Sequence, residues 1–373
     1  MRFVTSDLQV LVGLEDGARQ YGELTEVTGL ARSTVSRSVT RLSAHDIVER
    51  DQSGRAVTVR PQPTSVVDSI GTVRESAPHL DLYEFLTLAR LRVVWFLTAP
   101  RPPSAIASFT DVSVNRVRQV LTTLQKRQIA TETDAGVRLR ADYEPLQSLA
   151  ESVFDLFHGA EIEHEHPDAT VIWTAPKEAL FSASTAEASG SSDATVVETG
   201  LRQFTRWGLE FRSPSSPMYY RSTLSDSRGP TAMEAIVHTL CRRADNRRLT
   251  YSAVLLAEAV TNGSFSRDRF LELADYYGVV DVARYLPALV VVSTESMPRE
   301  QRRRRSERAG RQSTGSENSE SATGKPDRSA VVRDRLPSPV RVRDTAMQYG
   351  VDIAEASEKL ERCVDTDLLR EIK

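Results

Sequence analysis

Between residues 30 and 43 the apolar side chains Val35, Val39 and Leu42 recur at i, i+4 and i+7, one stripe of a helix. The other positions hold Ser33, Thr34, Ser36, Arg37, Thr40 and Arg41, and no acid occurs in the stretch. Hydroxyls and guanidinium groups reach phosphates and base edges in a major groove, where a carboxylate would be repelled. Upstream, Leu24 and Val27 supply the inner face of a short helix closed by Gly29. Before it, Leu8, Leu11, Val12 and Leu14 predict an amphipathic helix capped by Ser6. Downstream, residues 47–50, 51–54 and 56–60 read as strand, turn and strand.

From Leu80 the pattern repeats. Aligning Leu42 with Leu124 fixes an offset of 82 residues. It pairs Leu24 with Ile106, Val27 with Phe109, Leu30 with Val112, Val35 with Val117, Val39 with Leu121, Ile47 with Ile129 and Gly54 with Gly136, without a gap. A shared apolar skeleton under a divergent surface predicts a duplicated fold. The second candidate reading helix, residues 113–127, carries Asn115, Arg116, Arg118, Gln119, Lys126 and Arg127, again with no acid. Its hairpin, however, contains Glu132 and Asp134, which would repel phosphate. Its first helix is apolar through Leu88, Leu91, Val93, Val94, Trp95, Phe96 and Leu97, a face suited to another domain or subunit. The second copy therefore either contacts DNA or serves as a docking module.

Three helices and a hairpin describe a winged helix-turn-helix. Residues 24–42 with that hairpin resemble the MarR-like and related winged-helix transcription regulators of bacteria and archaea. The resemblance covers the first domain alone. It implies that Ser33, Thr34, Ser36 and Arg37 read bases and that Arg41 anchors the DNA backbone. It also implies that Arg55, at the wing tip, enters the minor groove. Arg118 and Gln119 match Ser36 and Arg37 by position, and with Asn115 and Arg116 they complete the candidate DNA-binding set. Double-stranded DNA is then the partner, and a homodimer is expected because one helix reads few base pairs.

At 373 residues the chain is too long for one ordinary domain. The expected class is α+β. The expected parts are a first winged helix (1–63), a connector (64–79), a second winged helix (80–141), and a helix with a polar linker (142–168). An α/β effector or dimerisation domain (169–297), a disordered linker (298–338) and a C-terminal helical segment (339–373) follow. Within 169–297 the expected elements are a strand at 169–174, a short helix at 177–181 and a loop at 183–194. An amphipathic stretch at 196–207, strands at 209–212 and 218–223, and helices at 231–243, 251–260, 268–277 and 280–291 complete it. Residues 235–240 and 251–256 loosely resemble the C-terminal portion of antitoxins and archaeal regulators that join a winged helix to an α/β domain, which keeps a defence role open.

Net charge of −3 is nearly balanced, but the field that matters for DNA is local. The two cysteines, Cys241 and Cys363, lie far apart, which argues against a disulfide framework and for a reducing cytoplasm. No run approaches a membrane span, and residues 1–7 lack a signal-peptide core. His158, His164 and His166 with Glu163, Glu165 and Asp168 have metal-ligand chemistry but no zinc spacing, so a solvated linker is expected and no metal. His238 and Cys241 share a helix face as core residues, or as a redox-sensing thiol beside Arg242 and Arg243. Trp173, Trp207, Phe211, Tyr219 and Tyr220 read as core, or as the lining of a small-molecule effector pocket. The basic run 302–305 reads as a solvated tail, or as a source of sequence-independent DNA affinity. No P-loop, Gly-x-Gly-x-x-Gly, Gly-x-Ser-x-Gly or His-Glu-x-x-His signature occurs, so neither enzyme activity nor a cofactor is expected. The chain reads as a sequence-specific transcriptional regulator. The alternative is an interaction scaffold or an antitoxin-like component.

Overall fold

The computed structural model describes residues 3–53, 56–110, 112–184, 195–207, 216–223, 229–242, 246–261, 263–287 and 289. Arg55, the strand expected at 209–212, the basic run 302–305, Cys363 and the segments 298–338 and 339–373 lie outside them. The described residues form helices and small antiparallel sheets, an α+β class. They fall into two compact units, one of residues 3–196 with 220–223, the other of 197–219 with 229–289. No described helix is long and apolar enough to cross a membrane.

The first unit opens with α1 (Thr5–Gly13), β1 (Arg19–Gln20), α2 (Tyr21–Thr28), α3 (Arg32–Ala44), β2 (Val48–Ser53) and β3 (Ala56–Pro61). Leu8, Leu11, Leu24, Val35, Val39, Leu42, Ile47 and Val59 close a common core. The three strands are antiparallel in the order β1-β3-β2, with Val59 opposite both Arg19 and Arg50. Gly29 ends α2 in the left-handed region at φ 66°, as its place after Thr28 predicts. Ser6 does not cap α1. Val4 is the capping residue, its N–H donates to the Asp7 carboxylate at 2.8 Å, and the Ser6 hydroxyl instead pairs with that of Ser38 at 2.8 Å.

After α4 (Ser65–Ser76) and α5 (Leu82–Phe85) come α6 (Leu88–Trp95), α7 (Pro103–Thr110), α8 (Val114–Lys126), β4 (Ala130–Thr133) and β5 (Gly136–Leu139). The ends of α7 and α8 each lie 82 residues after those of α2 and α3. Asp46 and Gln128, again 82 apart, both leave their helix at positive φ, 53° and 57°. The Arg19↔Val59 pairing also has a counterpart in the bridge Arg101↔Val137. One detail differs from the ungapped alignment. β2 and β3 pair over six positions, β4 and β5 over four, so the second hairpin lacks two residues per strand. Gly136 therefore corresponds to Thr58 of β3 rather than to Gly54.

Gly136 has its own reason to be glycine. Its φ is 130°, and a Cβ there would lie 2.4 Å from the Arg101 carbonyl carbon. Gly136→Ala is expected to destabilise the first unit by about 1–3 kcal/mol. Gly22→Ala, in open space on α2, is expected to stabilise by up to about 1 kcal/mol. Urea unfolding of the two variants checks both signs.

The apolar α6 is not an outward docking face: Leu91, Val93, Val94, Phe96 and Leu97 are buried, and the helix packs on α7, α8 and α9. That last helix, α9 (Glu144–Glu165), follows a 3-10 turn at Ala141–Tyr143 and runs through the expected polar linker. Phe157, His158 and Ile162 continue its buried stripe, so the helix persists where composition alone suggested a loop. β6 (Thr170–Ala175) and β7 (Glu178–Ser182) then form a hairpin paired from Ala175↔Glu178 to Thr170↔Ser182. The short helix expected at 177–181 is thus a strand, because all five residues of β7 are buried and complete the β6 ladder.

β8 (Thr195–Thr199) and β9 (Met218–Ser222) follow, and the division between the units falls within each of them. The amphipathic stretch 196–207 is not a single helix. Gly200, at φ 69°, separates β8 from a 3-10 segment, Gly200–Trp207. The second unit continues with α10 (Ala232–Cys241), α11 (Asn246–Thr261), α12 (Arg267–Tyr276) and α13 (Val280–Ala283). α10 starts with a capping box between Thr231 and Glu234 and is buried through Ala235, Ile236, Val237 and Leu240. The expected helix 280–291 is interrupted by a turn at 284–285: α13 covers its start, residues 286, 287 and 289 are again helical, and 290–291 lie outside the described residues.

Candidate nucleic-acid interface

α3 turns Val35, Ser38, Val39 and Leu42 inward. Ser33, Ser36, Arg37 and Thr40 are exposed, and Thr34 is half-buried. Arg32, which the sequence reading passed over, is exposed at the start of the same face; its place in the acid-free run was the available signal. The Arg37 Nε donates to the Ser33 carbonyl at 3.3 Å, which lays the guanidinium along the helix. Neither Arg32 nor Arg37 makes an ion pair among the described residues.

Arg41, the expected backbone anchor, is paired within the first unit. Its guanidinium meets both oxygens of Asp7, Nη2 at 2.7 Å and Nε at 3.0 and 3.2 Å, and Nη2 also donates to Ser38 at 3.3 Å. Asp7 is fully buried and Arg41 is 19% exposed, so the pair ties α1 to α3 inside the core. A forked guanidinium held on both oxygens of a buried carboxylate is committed to the fold.

α8 repeats the outward face with other side chains. Ser113 Oγ accepts the Arg116 N–H, and Val117, Val120, Leu121 and Leu124 point inward. Asn115, Arg116, Arg118 and Gln119 are all exposed. Arg116 donates to Gln119 at 3.2 Å and Arg118 to Asn115 at 3.3 Å, so each guanidinium is steadied by an amide rather than neutralised by an acid. By the shared offset, Asn115, Arg116, Arg118 and Gln119 stand where α3 has Ser33, Thr34, Ser36 and Arg37. Arg127, at the far end, is paired with Glu84 at 2.9 Å. Glu132, Asp134 and Arg138 are exposed on the second hairpin, and Glu49, Arg50, Asp51 and Arg60 on the first, so both hairpins carry charges of both signs.

The other candidate sites resolve into structure. His158 lies in the core, its pKa pushed down to about 3 chiefly by burial and then by the adjacent Arg221. His166 stacks on Phe181 and His164 meets the ring edge of His45, so the three histidines are separately placed. Among the described residues no group of three or more His, Cys, Asp or Glu side chains is placed to hold a metal. His238 is buried against the Thr199 hydroxyl at 2.7 Å, its pKa also lowered to about 3 by burial. Burial raises the Cys241 thiol pKa, the reverse of what a redox-sensing thiolate needs. Trp173 meets Trp95 edge-on, Tyr220 bonds Glu178, Tyr219 is buried in β9, and Phe211 is outside the described residues.

The two buried histidines make acid sensitivity predictable. From the ordinary value of 6.5 down to about 3, the unfolded chain binds a proton at each position that the folded chain does not. Stability therefore falls as pH drops below 6.5, by about 1.4 kcal/mol per pH unit for each histidine. At pH 5 each unit is expected to have lost roughly 2 kcal/mol from its own histidine. Urea unfolding at pH 7.5 and pH 5 checks this. His238→Gln should flatten the dependence of the second unit alone, and an unchanged pH slope in that variant would refute the assignment.

No protein-family model and no curated protein matches this chain.

Proposed function

We propose that the chain is a sequence-specific DNA-binding transcriptional regulator built on two tandem winged helices, with α3 and α8 as the helices that enter the major groove. One observation carries the reading: two acid-free helix faces of hydroxyl, amide and guanidinium groups are exposed at equivalent positions of two copies of one element order. Residues at this place in a helix-turn-helix meet base edges, while hairpin cations meet phosphate. In this reading Ser33, Thr34, Ser36 and Arg37 read bases, joined by Asn115, Arg116, Arg118 and Gln119. Arg32 and the first hairpin's Arg50 and Arg60 supply phosphate contacts, and Arg41 holds the fold. The apolar α6, which would have suited the protein-scaffold alternative, packs inward; Val4 and Val171 are the exposed large hydrophobics among the described residues.

The test is fluorescence anisotropy of the full chain with a labelled duplex from its own upstream region, titrated against salt and random competitor DNA. Saturable binding that survives competitor is expected. The logarithm of affinity should fall linearly with that of salt, by about 0.9 per phosphate contact. Arg37→Ala should weaken binding about 5- to 150-fold. Binding erased by competitor, or indifferent to Arg37→Ala, would defeat the reading.

A further inference from the structure

The helices that follow the two hairpins pack on each other. α4 follows β3, α9 follows β5, and the two are in contact along their lengths. Ser69 of α4 meets Ser152 of α9, hydroxyl to hydroxyl, at 3.1 Å. α9 also reaches the first copy. Beyond the end of α4, the His79 ring lies 3.3 Å from the Tyr143 hydroxyl, which opens α9. At the other end of α9, Phe157 stacks on Phe3 of the first copy at 4.2 Å, and the Ala160 carbonyl meets His45 Nδ1 at 3.1 Å. The first helices of the copies touch too: Thr5, opening α1, accepts the N–H of Leu88, opening α6, at 3.4 Å, and Gln9 donates to the Tyr83 carbonyl at 3.0 Å. Equivalent elements facing equivalent elements, α4 against α9 and the start of α1 against the start of α6, is the pattern of a pseudo-two-fold pairing. Here both halves belong to one polypeptide.

Resting on the DNA-reading function proposed above, we infer that a single chain acts as an internally paired dimer and occupies a bipartite, non-palindromic DNA site whose two half-sites differ in sequence. A symmetric dimer reads an inverted repeat because its two reading helices are identical. In this chain every equivalent base-reading position differs: Ser33 against Asn115, Thr34 against Arg116, Ser36 against Arg118 and Arg37 against Gln119. The first helix pairs three hydroxyls with one guanidinium; the second pairs two amides with two guanidinium groups. Amides suit adenine and guanidinium groups suit guanine, so the second half-site should be the richer in purine-specific contacts. Joining both readers in one chain makes the second contact intramolecular, which raises affinity without a second molecule. The homodimer expected from the sequence answered the need for a second reading helix, and the chain already supplies one.

The experiment selects duplexes from a pool carrying a random 30-base-pair core, using the full-length chain. The chosen duplex is then examined by native mass spectrometry and hydroxyl-radical footprinting. One chain per duplex is expected, with two protected blocks of unlike sequence centred about 10 base pairs, or a multiple, apart. Arg37→Ala should remove preference in one block and Arg118→Ala in the other, each weakening binding about 5- to 150-fold. Both side chains are exposed, so neither variant disturbs the core. Two chains on an inverted repeat would overturn the internally paired reader while leaving DNA reading intact. A single block insensitive to Arg118→Ala would overturn it as well. Failure to enrich any sequence over random competitor would remove the DNA-reading function and this inference with it.

Discussion

Asp7→Ala is expected to destabilise the first unit by about 3–5 kcal/mol, because it leaves a largely buried guanidinium without its counter-charge. Asp7 is fully buried and answers Arg41 with both oxygens while also accepting the Val4 N–H. The alanine therefore removes an ion pair and the first-turn cap of α1 together. The second copy carries no charge at the equivalent positions, which hold Ala89 and Thr123. Asp7→Ala combined with Arg41→Thr copies that solution. It should recover more than half of the loss, since replacing both members of a buried pair costs far less than stranding one. Urea unfolding followed by tryptophan fluorescence measures this, because Trp95 and Trp173 both belong to the first unit. A change below 1 kcal/mol for the single variant would mean that the pair is solvated and dispensable.

Arg37→Ala together with Arg118→Ala should lower affinity for the selected duplex by about 30-fold to 2 × 10⁴-fold, two base-reading guanidinium groups at about 1–3 kcal/mol each. The two stand on separate helices and share no partner, so their effects should add. Arg41 provides the contrast. As a phosphate anchor, its loss would weaken binding to all sequences alike and reduce the salt slope by about 1. With its guanidinium held by Asp7, the compensated variant Asp7→Ala with Arg41→Thr should bind with an unchanged salt slope. A slope reduced by one unit would return Arg41 to the DNA interface.

The parts of the fold legible in the sequence are those where a helix buries one regular stripe. Val35, Val39 and Leu42 gave α3 directly, and the offset of 82 residues carried α2 and α3 onto α7 and α8 at both ends. Pattern could not tell which polar residue serves inside. Arg37 and Arg41 look alike in sequence, yet one is exposed and the other meets a carboxylate 34 residues away. The cap of α1 fell to Val4, whose N–H Asp7 accepts, rather than to Ser6 for the same reason, since Ser6 pairs with Ser38, 32 residues away. Residues 177–181 have no local preference that excludes a helix; pairing with β6 makes them a strand. Residues 158–165 looked like a linker because their buried members, His158 and Ile162, stand among glutamates, although Glu163 alone of the three is exposed. Of these, Glu161 lies 2.9 Å from Arg221, a partner 60 positions along the chain. Short spacings were readable, and long-range partners were not.

The crossing of α9 onto the first copy has a consequence for the order in which the protein can mature. When the ribosome completes residue 79, Phe3 and His45 have no cover, because Phe157 and Ala160 have not yet been made. At about 5–20 residues per second, roughly 4–16 s of translation separate the two. Throughout that interval the nascent chain exposes an apolar seam that only its own later residues fit, and release before α9 leaves the seam open. A nascent-chain series should therefore stay protease-sensitive until α9 clears the exit tunnel, and then become resistant across residues 3–165 in one step.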